Sequence, residues 1–292
     1  MDINSAKPNF FKRNYMYIIW FVFYFMLAWR IFGLNFTGFM FVLLMYIISL
    51  TIAFLPIGEK ILRLINQVRS LETKQEKDYL IPVFEDVYTE AKNKYPNLRE
   101  DIEICTIDVM YINACALGRR TIAVTSGAID SLSEEELKGF IAHELGHIRN
   151  GDTKAELLAT VGNGIFTLFS LVSKIILNAL ESILSRLGGT GFIGFAGFLV
   201  FVAKAIFNII IFLLVYIGEL ILSINRRKNE YKADEFAYDI GYGNNLVAAL
   251  YLLKSMCMSD KASLVDRLKT SHPHIAKRIG RLETMIDNNE QM

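Results

Sequence analysis

The sequence is poor in the residues from which many sites and frameworks are built. Its 292 residues include three cysteines, five prolines, two tryptophans and four histidines. Cys105, Cys115 and Cys257 cannot all pair and show no CxxC spacing, which excludes a disulfide framework and a cysteine-rich zinc site. Reducing surroundings fit them best. Neither sign of charge is in excess: 31 Lys+Arg against 30 Asp+Glu give a net charge of +1. No nucleic-acid partner is expected, because phosphate binding needs a clear basic excess. Hydrophobic residues make up 53% of the chain, which excludes disordered and collagen-like classes, and we find no internal repeat or low-complexity tract.

What the chain has instead is long apolar runs. Asn14 to Trp29 and Ile31 to Gly58 carry no charge and are divided only by Arg30. Each is long enough to span a bilayer, which takes about 20 apolar residues, and Gly33-Leu34-Asn35-Phe36-Thr37-Gly38 suits the connection between them. No small-residue cleavage site follows a short apolar core, so the first run is expected to be a retained anchor and not a signal peptide. A second apolar region begins at Leu157 and is interrupted by Lys174, Glu181, Arg186 and Lys204. It reads as two further spans, roughly 157–178 and 196–220, around a Gly188-Gly189-Thr190-Gly191 link; a shallow hairpin lining a cavity is the alternative. Lys7, Lys12 and Arg13 precede the first span, Lys60, Arg63 and Arg69 follow the second, and Arg226, Arg227 and Lys228 follow the fourth. The 33–38 link has no basic residue, so all polar segments are expected on one side, the cytoplasmic one. The organisation expected is a transmembrane hairpin over 1–58, a first polar part over 59–156, a second hairpin over 157–224 and a second polar part over 225–292. With both polar parts on one face, they can form one domain in which the second hairpin is an insertion.

Within the polar parts, apolar spacing predicts a helix from Pro82 to Lys94 with proline at its start. Strands are expected around Ile102 to Val109, over Tyr111 to Leu117 and over Thr121 to Thr125, the last two joined by Gly118-Arg119-Arg120. Ser133-Glu134-Glu135-Glu136 is a capping box that opens a helix burying Leu137, Phe140, Ile141 and Ile148, with Gly151 to end or bend it. Further helices are predicted over Asn225–Tyr238, Asn245–Met258 and Ile275–Ile286.

The capped helix carries His143-Glu144-Leu145-Gly146-His147, an HExxH pattern that takes up two of the four histidines. Residues four apart share a helix face, so both imidazoles can grip one ion. Zinc suits imidazole nitrogen, and a catalytic site adds one more protein ligand and leaves a position for water. Glu144, beside the first histidine, is placed to take a proton from that water.

The third ligand should come from another helix, and Glu230 is the best candidate. It stands four residues before Asp234 in Asn229-Glu230-Tyr231-Lys232-Ala233-Asp234, so one carboxylate of the pair can bind metal while the other accepts a hydrogen bond from a ligand histidine. Asp152 and Glu156 compete as ligands, and Asp152, close to the end of the HExxH helix, suits a supporting role. His272 and His274 lie in Ser271-His272-Pro273-His274. His272 can donate to the oxyanion of a peptide hydrolysis, with Arg278 nearby on the following helix; the case for His274 is weaker.

These motifs in this order make the chain resemble the HtpX family of membrane-bound zinc metalloproteases, which are related to the CAAX prenyl proteases. The resemblance spans nearly the whole chain: an N-terminal hydrophobic hairpin, HELGH at 143–147, a second hairpin, EYKAD at 230–234 and SHP at 271–273. It implies an α+β membrane protein with a zincin-like catalytic domain, a small sheet plus the HExxH helix, on about four transmembrane helices. It further implies one zinc ion on His143, His147 and Glu230, with Glu144 as general base and Asp234 behind the ligands. Asn113, Ala114, Cys115 and Ala116 resemble the family's substrate-binding edge strand, with Cys115 where an aromatic residue is usual. Asn229 stands where the family often has arginine. His272 and Arg278 match positions that the related prenyl proteases use around the reacting carbonyl. Quality control of misfolded membrane proteins under stress is the role the resemblance implies, and self-cleavage is compatible with it. Two other readings remain: a CAAX-type processing enzyme, and a zinc-binding membrane receptor without turnover.

Overall fold

In the computed structural model, residues 14–186, 192–257 and 275–290 are described. Two helices, α1 (Tyr15–Phe32) and α2 (Phe36–Phe54), form the first hairpin, and the Asn35 side chain caps α2 by accepting from the Gly38 N–H at 2.7 Å. Pro56 then opens a short helix, α3 (Pro56–Ile65), followed by a two-residue strand, β1 (Arg69–Ser70), and α4 (Lys74–Lys94). Strands β2 (Glu103–Ile107), β3 (Ala114–Leu117) and β4 (Thr121–Thr125) complete one sheet of order β1-β2-β4-β3. β2 runs parallel to β4, and the other two pairings are antiparallel. The register sets Ala116 opposite Ile122 and leaves β3 at the edge.

A short helix, α5 (Ser126–Ser131), leads to α6 (Glu134–Asn150), which carries HExxH and is opened by the expected capping box of Ser133 and Glu136. Gly151, at φ 76°, ends it in the left-handed region that favours glycine. The chain continues through α7 (Asp152–Gly162), α8 (Gly164–Arg186), α9 (Phe192–Asp239), α10 (Gly243–Cys257) and α11 (Ile275–Glu290).

Among the described residues, four stretches are long and apolar enough to cross a membrane: Tyr15–Phe32, Phe36–Phe54, Asp152–Arg186 and Gly194–Asp239. Their outward faces expose Ile18, Val22, Leu44, Ile176, Phe198 and Phe212, as a lipid-facing surface does. Inside, Tyr17, Trp20 and Tyr24 of α1 pack on Ala155 and Ala159 of α7 and on Ile211 and Leu222 of α9. The Tyr46 hydroxyl donates to Asn163 Oδ1 at 2.8 Å, and Lys204 pairs with Glu181 between α9 and α8.

The main core lies outside the apolar parts of these stretches and takes in only the C-terminal end of the fourth. It joins Leu80 and Val87 of α4, Ile122 and Val124 of β4, Leu137, Ile141 and Leu145 of α6, Phe236 of α9, Leu246 and Leu250 of α10 and Leu282 of α11. It therefore draws on polar segments from both sides of the second hydrophobic region.

Several boundaries differ from expectation for physical reasons. α4 starts two turns earlier than Pro82, because Thr73 and Glu76 form a capping box there; Pro82 sits inside the helix, where its missing N–H costs one backbone bond. The expected span ending near 220 and the helix starting at Asn225 are one continuous helix, α9. The cluster Arg226-Arg227-Lys228 marks a change of solvent and not a helix end, and no proline interrupts it. β1 and α5 are too short to leave a periodic signature. The Gly188–Gly191 link lies outside the described residues.

Two glycines on α6, seven residues apart, set how closely its neighbours approach. A Cβ at Gly139 would lie 2.4 Å from the Leu246 nitrogen of α10, and one at Gly146 would lie 3.0 Å from Ala233 Cα of α9. The first distance is backbone against backbone and cannot be relieved by a rotamer change. Gly139→Ala is expected to lower stability by about 1–3 kcal/mol, the usual cost of overpacking. Thermal unfolding of the detergent-solubilised variant beside the unaltered protein checks this.

Candidate metal centre

The site forms where α6 meets α9. On α6 the HExxH spacing stacks His143 above His147, and on α9 the four-residue spacing does the same for Glu230 and Asp234. The small residues Gly146 and Ala233 let the two backbones come close enough for the side chains to meet. His143, Glu144, Glu230 and Asp234 are all buried.

The distances test whether the residues suit a metal. His143 Nε2 and His147 Nε2 lie 3.2 Å apart. Glu230 Oε2 is 3.4 Å from His143 Nε2, and Glu230 Oε1 is 3.4 Å from His147 Nε2. Ligands at about 2.0–2.1 Å from a tetrahedral ion lie about 3.3–3.4 Å from one another, so the two imidazole nitrogens stand at ligand spacing and the Glu230 carboxylate turns one oxygen to each of them, a donor set that suits such an ion. Among the described residues, this trio is the one group of three or more His, Cys, Asp and Glu side chains gathered closely enough to hold an ion.

Behind each imidazole stands a carboxylate. Asp234 Oδ1 lies 2.9 Å from His143 Nδ1, and Asp152 Oδ2 lies 3.1 Å from His147 Nδ1. A hydrogen bond from Nδ1–H to a carboxylate leaves the Nε2 lone pair free on the ion side. Burial pulls both histidine pKa values down, for His143 together with Arg278. The hydrogen bonds outweigh this, from Asp234 and Glu230 for His143 and from Asp152 and Glu230 for His147, so both values are raised. Burial pushes Asp234 up, but Arg278 and His143 outweigh it and hold its pKa below the ordinary value.

Arg278, 6% exposed on α11, donates through Nε and Nη2 to Asp234 at 2.9 and 2.6 Å, and its Nη1 lies 3.2 Å from Glu230 Oε2. One cation thus spans Glu230 and Asp234. Sequence reasoning brought Arg278 to the site for an oxyanion; its engagement here is with Asp234 and Glu230. Glu156 is no part of the trio, and its carboxylate lies 3.8 Å from Arg226 instead. His272 and His274 lie outside the described residues.

Glu144 Oε2 accepts from the Ala116 backbone N–H at 2.6 Å. Thr125 donates its N–H to the Asn113 carbonyl at 3.0 Å, so Asn113 and, by alternation, Cys115 face β4, while Ala114 and Ala116 turn their backbone groups to the open edge. Sequence reasoning named Glu144 and this strand but not the bond between them, which depends on how α6 crosses the sheet. The Cys115 side chain packs beside Cys105, Ile107 and Ala123, on the face away from the main core. Burial, aided by Glu144 and Glu156, pushes its thiol up to about 12.

Two measurements follow from this geometry. Glu230→Ala is expected to abolish stoichiometric binding of a divalent metal, and Asp234→Asn to weaken it about 10–100-fold, as read by metal titration of the chelator-stripped protein. With its thiol protonated at neutral pH, Cys115 should be alkylated far more slowly at pH 8 in the folded protein than after denaturation, followed by mass spectrometry.

Residues 74–286 match peptidase family M48. Protease HtpX of Wigglesworthia glossinidia brevipalpis is 28% identical over 198 residues, 61% of this chain and 64% of that protein. The Protease HtpX homolog of Bacillus subtilis (strain 168) is 29% identical over 190 residues, 59% of this chain and 59% of that protein. The chain thus spans less than two thirds of these relatives' length. A similarity to the crystal structure of S. mikatae Ste24p covers 84% of this chain and 56% of that one, at 22% identity and a TM-score of 0.44. The match over 74–286 takes in most of the 292 residues, α6 and α9 among them, and the chain belongs to peptidase family M48.

Proposed function

We propose that the protein is a membrane-embedded, zinc-dependent endopeptidase whose catalytic part faces the cytoplasm and which cuts misfolded or damaged membrane proteins. The observation that carries this reading is the convergence of two imidazole nitrogens and the Glu230 carboxylate at distances that suit one metal ion, beside a carboxylate that no ligand position requires. A purely structural zinc site closes its fourth corner with protein, and has no use for such a neighbour.

His143, His147 and Glu230 would hold the ion, with Asp234 and Asp152 fixing the two rings. When bound, zinc supplies Lewis-acid polarisation of a carbonyl and lowers the pKa of water. The remaining work falls to the chain. An extended peptide adds to the edge of β3, where the Ala114 N–H and C=O and the Ala116 C=O face outward, and backbone bonds of this kind accept any sequence. Glu144 takes a proton from water as its oxygen bonds to the peptide carbonyl carbon. It returns that proton to the nitrogen as the C–N bond breaks. Arg278 compensates Asp234 and Glu230 and keeps them aimed at the histidines. We retain His272 as the donor to the developing oxyanion.

The substrate class and the side of the membrane rest on the HtpX resemblance and on the Lys/Arg distribution, which concentrates basic residues at the ends of the spans nearest the catalytic part. A site so close to membrane helices suits loops that a damaged membrane protein exposes.

Glu144→Gln should retain zinc and lower cleavage of a misfolded membrane protein in detergent by about 10²–10⁴-fold. Chelator should stop the unaltered protein and zinc restore it. Undiminished cleavage by the variant would remove Glu144 as the base, and cleavage indifferent to chelator would remove the metal from the reaction.

A further inference from the structure

The bond from Ala116 to Glu144 raises the question of what holds β3 in place, since an edge strand has a neighbour on one side only. The answer lies on α3, the short helix that follows the second membrane span. Glu59 and Arg63 stand one turn apart on it, and both reach the turn between β3 and β4. Glu59 is 2% exposed. Its Oε1 accepts from the Arg120 N–H at 3.2 Å and from the Thr121 hydroxyl at 3.0 Å, and its Oε2 lies 3.6 Å from the Arg120 guanidinium. Arg63 donates through Nε to the same Thr121 hydroxyl at 2.8 Å and through Nη2 to Glu103 at 2.6 Å. Gly118, at φ +64°, packs so closely that a Cβ there would lie 3.0 Å from Glu59 Cδ.

A buried carboxylate is costly unless its oxygens are satisfied, and burying one for packing alone gains nothing over an apolar residue. Here its bonds go to Arg120 and Thr121, in and just after the turn that fixes the end of β3 and begins two residues past the amide that holds Glu144. We propose that Glu59 is a positioning residue: with Arg63 it clamps the β3–β4 turn to α3, and thereby sets the edge strand, and the Glu144 carboxylate bonded to it, relative to the first membrane hairpin. Glu59 touches neither substrate nor metal, and acts through Ala116.

The activity arm of the test rests on the peptidase reading; the exchange arm does not. The full-length protein in detergent is compared with Glu59→Leu, which removes the acceptor, and with Glu59→Gln, which keeps a carbonyl oxygen where the two donors need it. In Glu59→Leu, amide hydrogen exchange in β3 should rise by about ten-fold or more while α6 stays protected and metal stoichiometry is unchanged. Cleavage should fall by about 10–100-fold in kcat/KM, the scale of a small misplacement at a distance, and Glu59→Gln should restore both readouts. Should Glu59→Leu fail to fold, Thr121→Val breaks the same network at its centre and is expected to show the same pattern. Exchange in β3 at the unaltered rate, or exchange rising equally through α6, would overturn the proposal. If even the unaltered protein cleaves nothing, the peptidase reading fails while the exchange comparison still decides the role of Glu59.

Discussion

Two imidazole nitrogens 3.2 Å apart are brought together inside the protein with a carboxylate whose two oxygens each lie 3.4 Å from one of them. With both rings neutral, the lone pairs on these atoms repel one another, and no hydrophobic gain comes from gathering them. The convergence has to be enforced by packing around it, and much of the catalytic part is arranged to enforce it. α6 and α9 meet through Gly146 and Ala233. Asp234 and Asp152 turn the rings so that one nitrogen of each faces the common point. Arg278 supplies positive charge against Glu230 and Asp234, two carboxylates that burial alone would disfavour. Each of these contacts makes sense if an ion is to be received and little sense otherwise.

Much of this was legible from one line of letters, because helices repeat simply. A four-residue spacing puts His143 over His147 and Glu230 near Asp234 whatever the rest of the chain does, and the capping box at Ser133 and Glu136 marked where α6 begins. The apolar runs gave the four spans because lipid imposes a length. The parts that stayed hidden are those set by tertiary packing. The length of α9 was one: charge at Arg226 looks like an end, but a helix stops for want of backbone bonds or at a breaker, and none stands between Gly218 and Gly241 except residues that continue it. The engagement of Arg278 with Asp234 and Glu230 was another, since α11 meets α9 only in the folded core. The buried Glu59 was a third. Near the end of an apolar run it reads as the first solvated residue, and only the approach of the β3–β4 turn gives it partners.

The continuity of α9 has a mechanical consequence. One rod carries the last membrane span, then Glu230 and Asp234, without a joint between them. A tilt of the span would therefore move the carboxylates with it, whereas His143 and His147 belong to α6, which is anchored in the main core by Leu137, Ile141 and Leu145. Their geometry depends on the two frames agreeing. At the other end of the site, α3 extends the second span into contact with the β3–β4 turn and the start of β4 through Glu59 and Arg63. On the two proposals above, the bilayer has two separate handles, one on Glu230 and Asp234 and one on the strand beside Glu144.

That arrangement gives a reason for the second hairpin to interrupt the catalytic part instead of preceding or following it. On the function proposed above, the edge strand would be needed at a fixed height above the lipid, and a soluble domain tethered at one point would swing. Here the chain leaves the core after α6, passes through the membrane region in α7, α8 and α9, and returns on α9 with Glu230. The first hairpin packs against that insertion through Trp20 and Tyr24. Holding the core at both of its seams converts four greasy helices from an anchor into a frame, and a frame is what a site built from two separate pieces of chain requires.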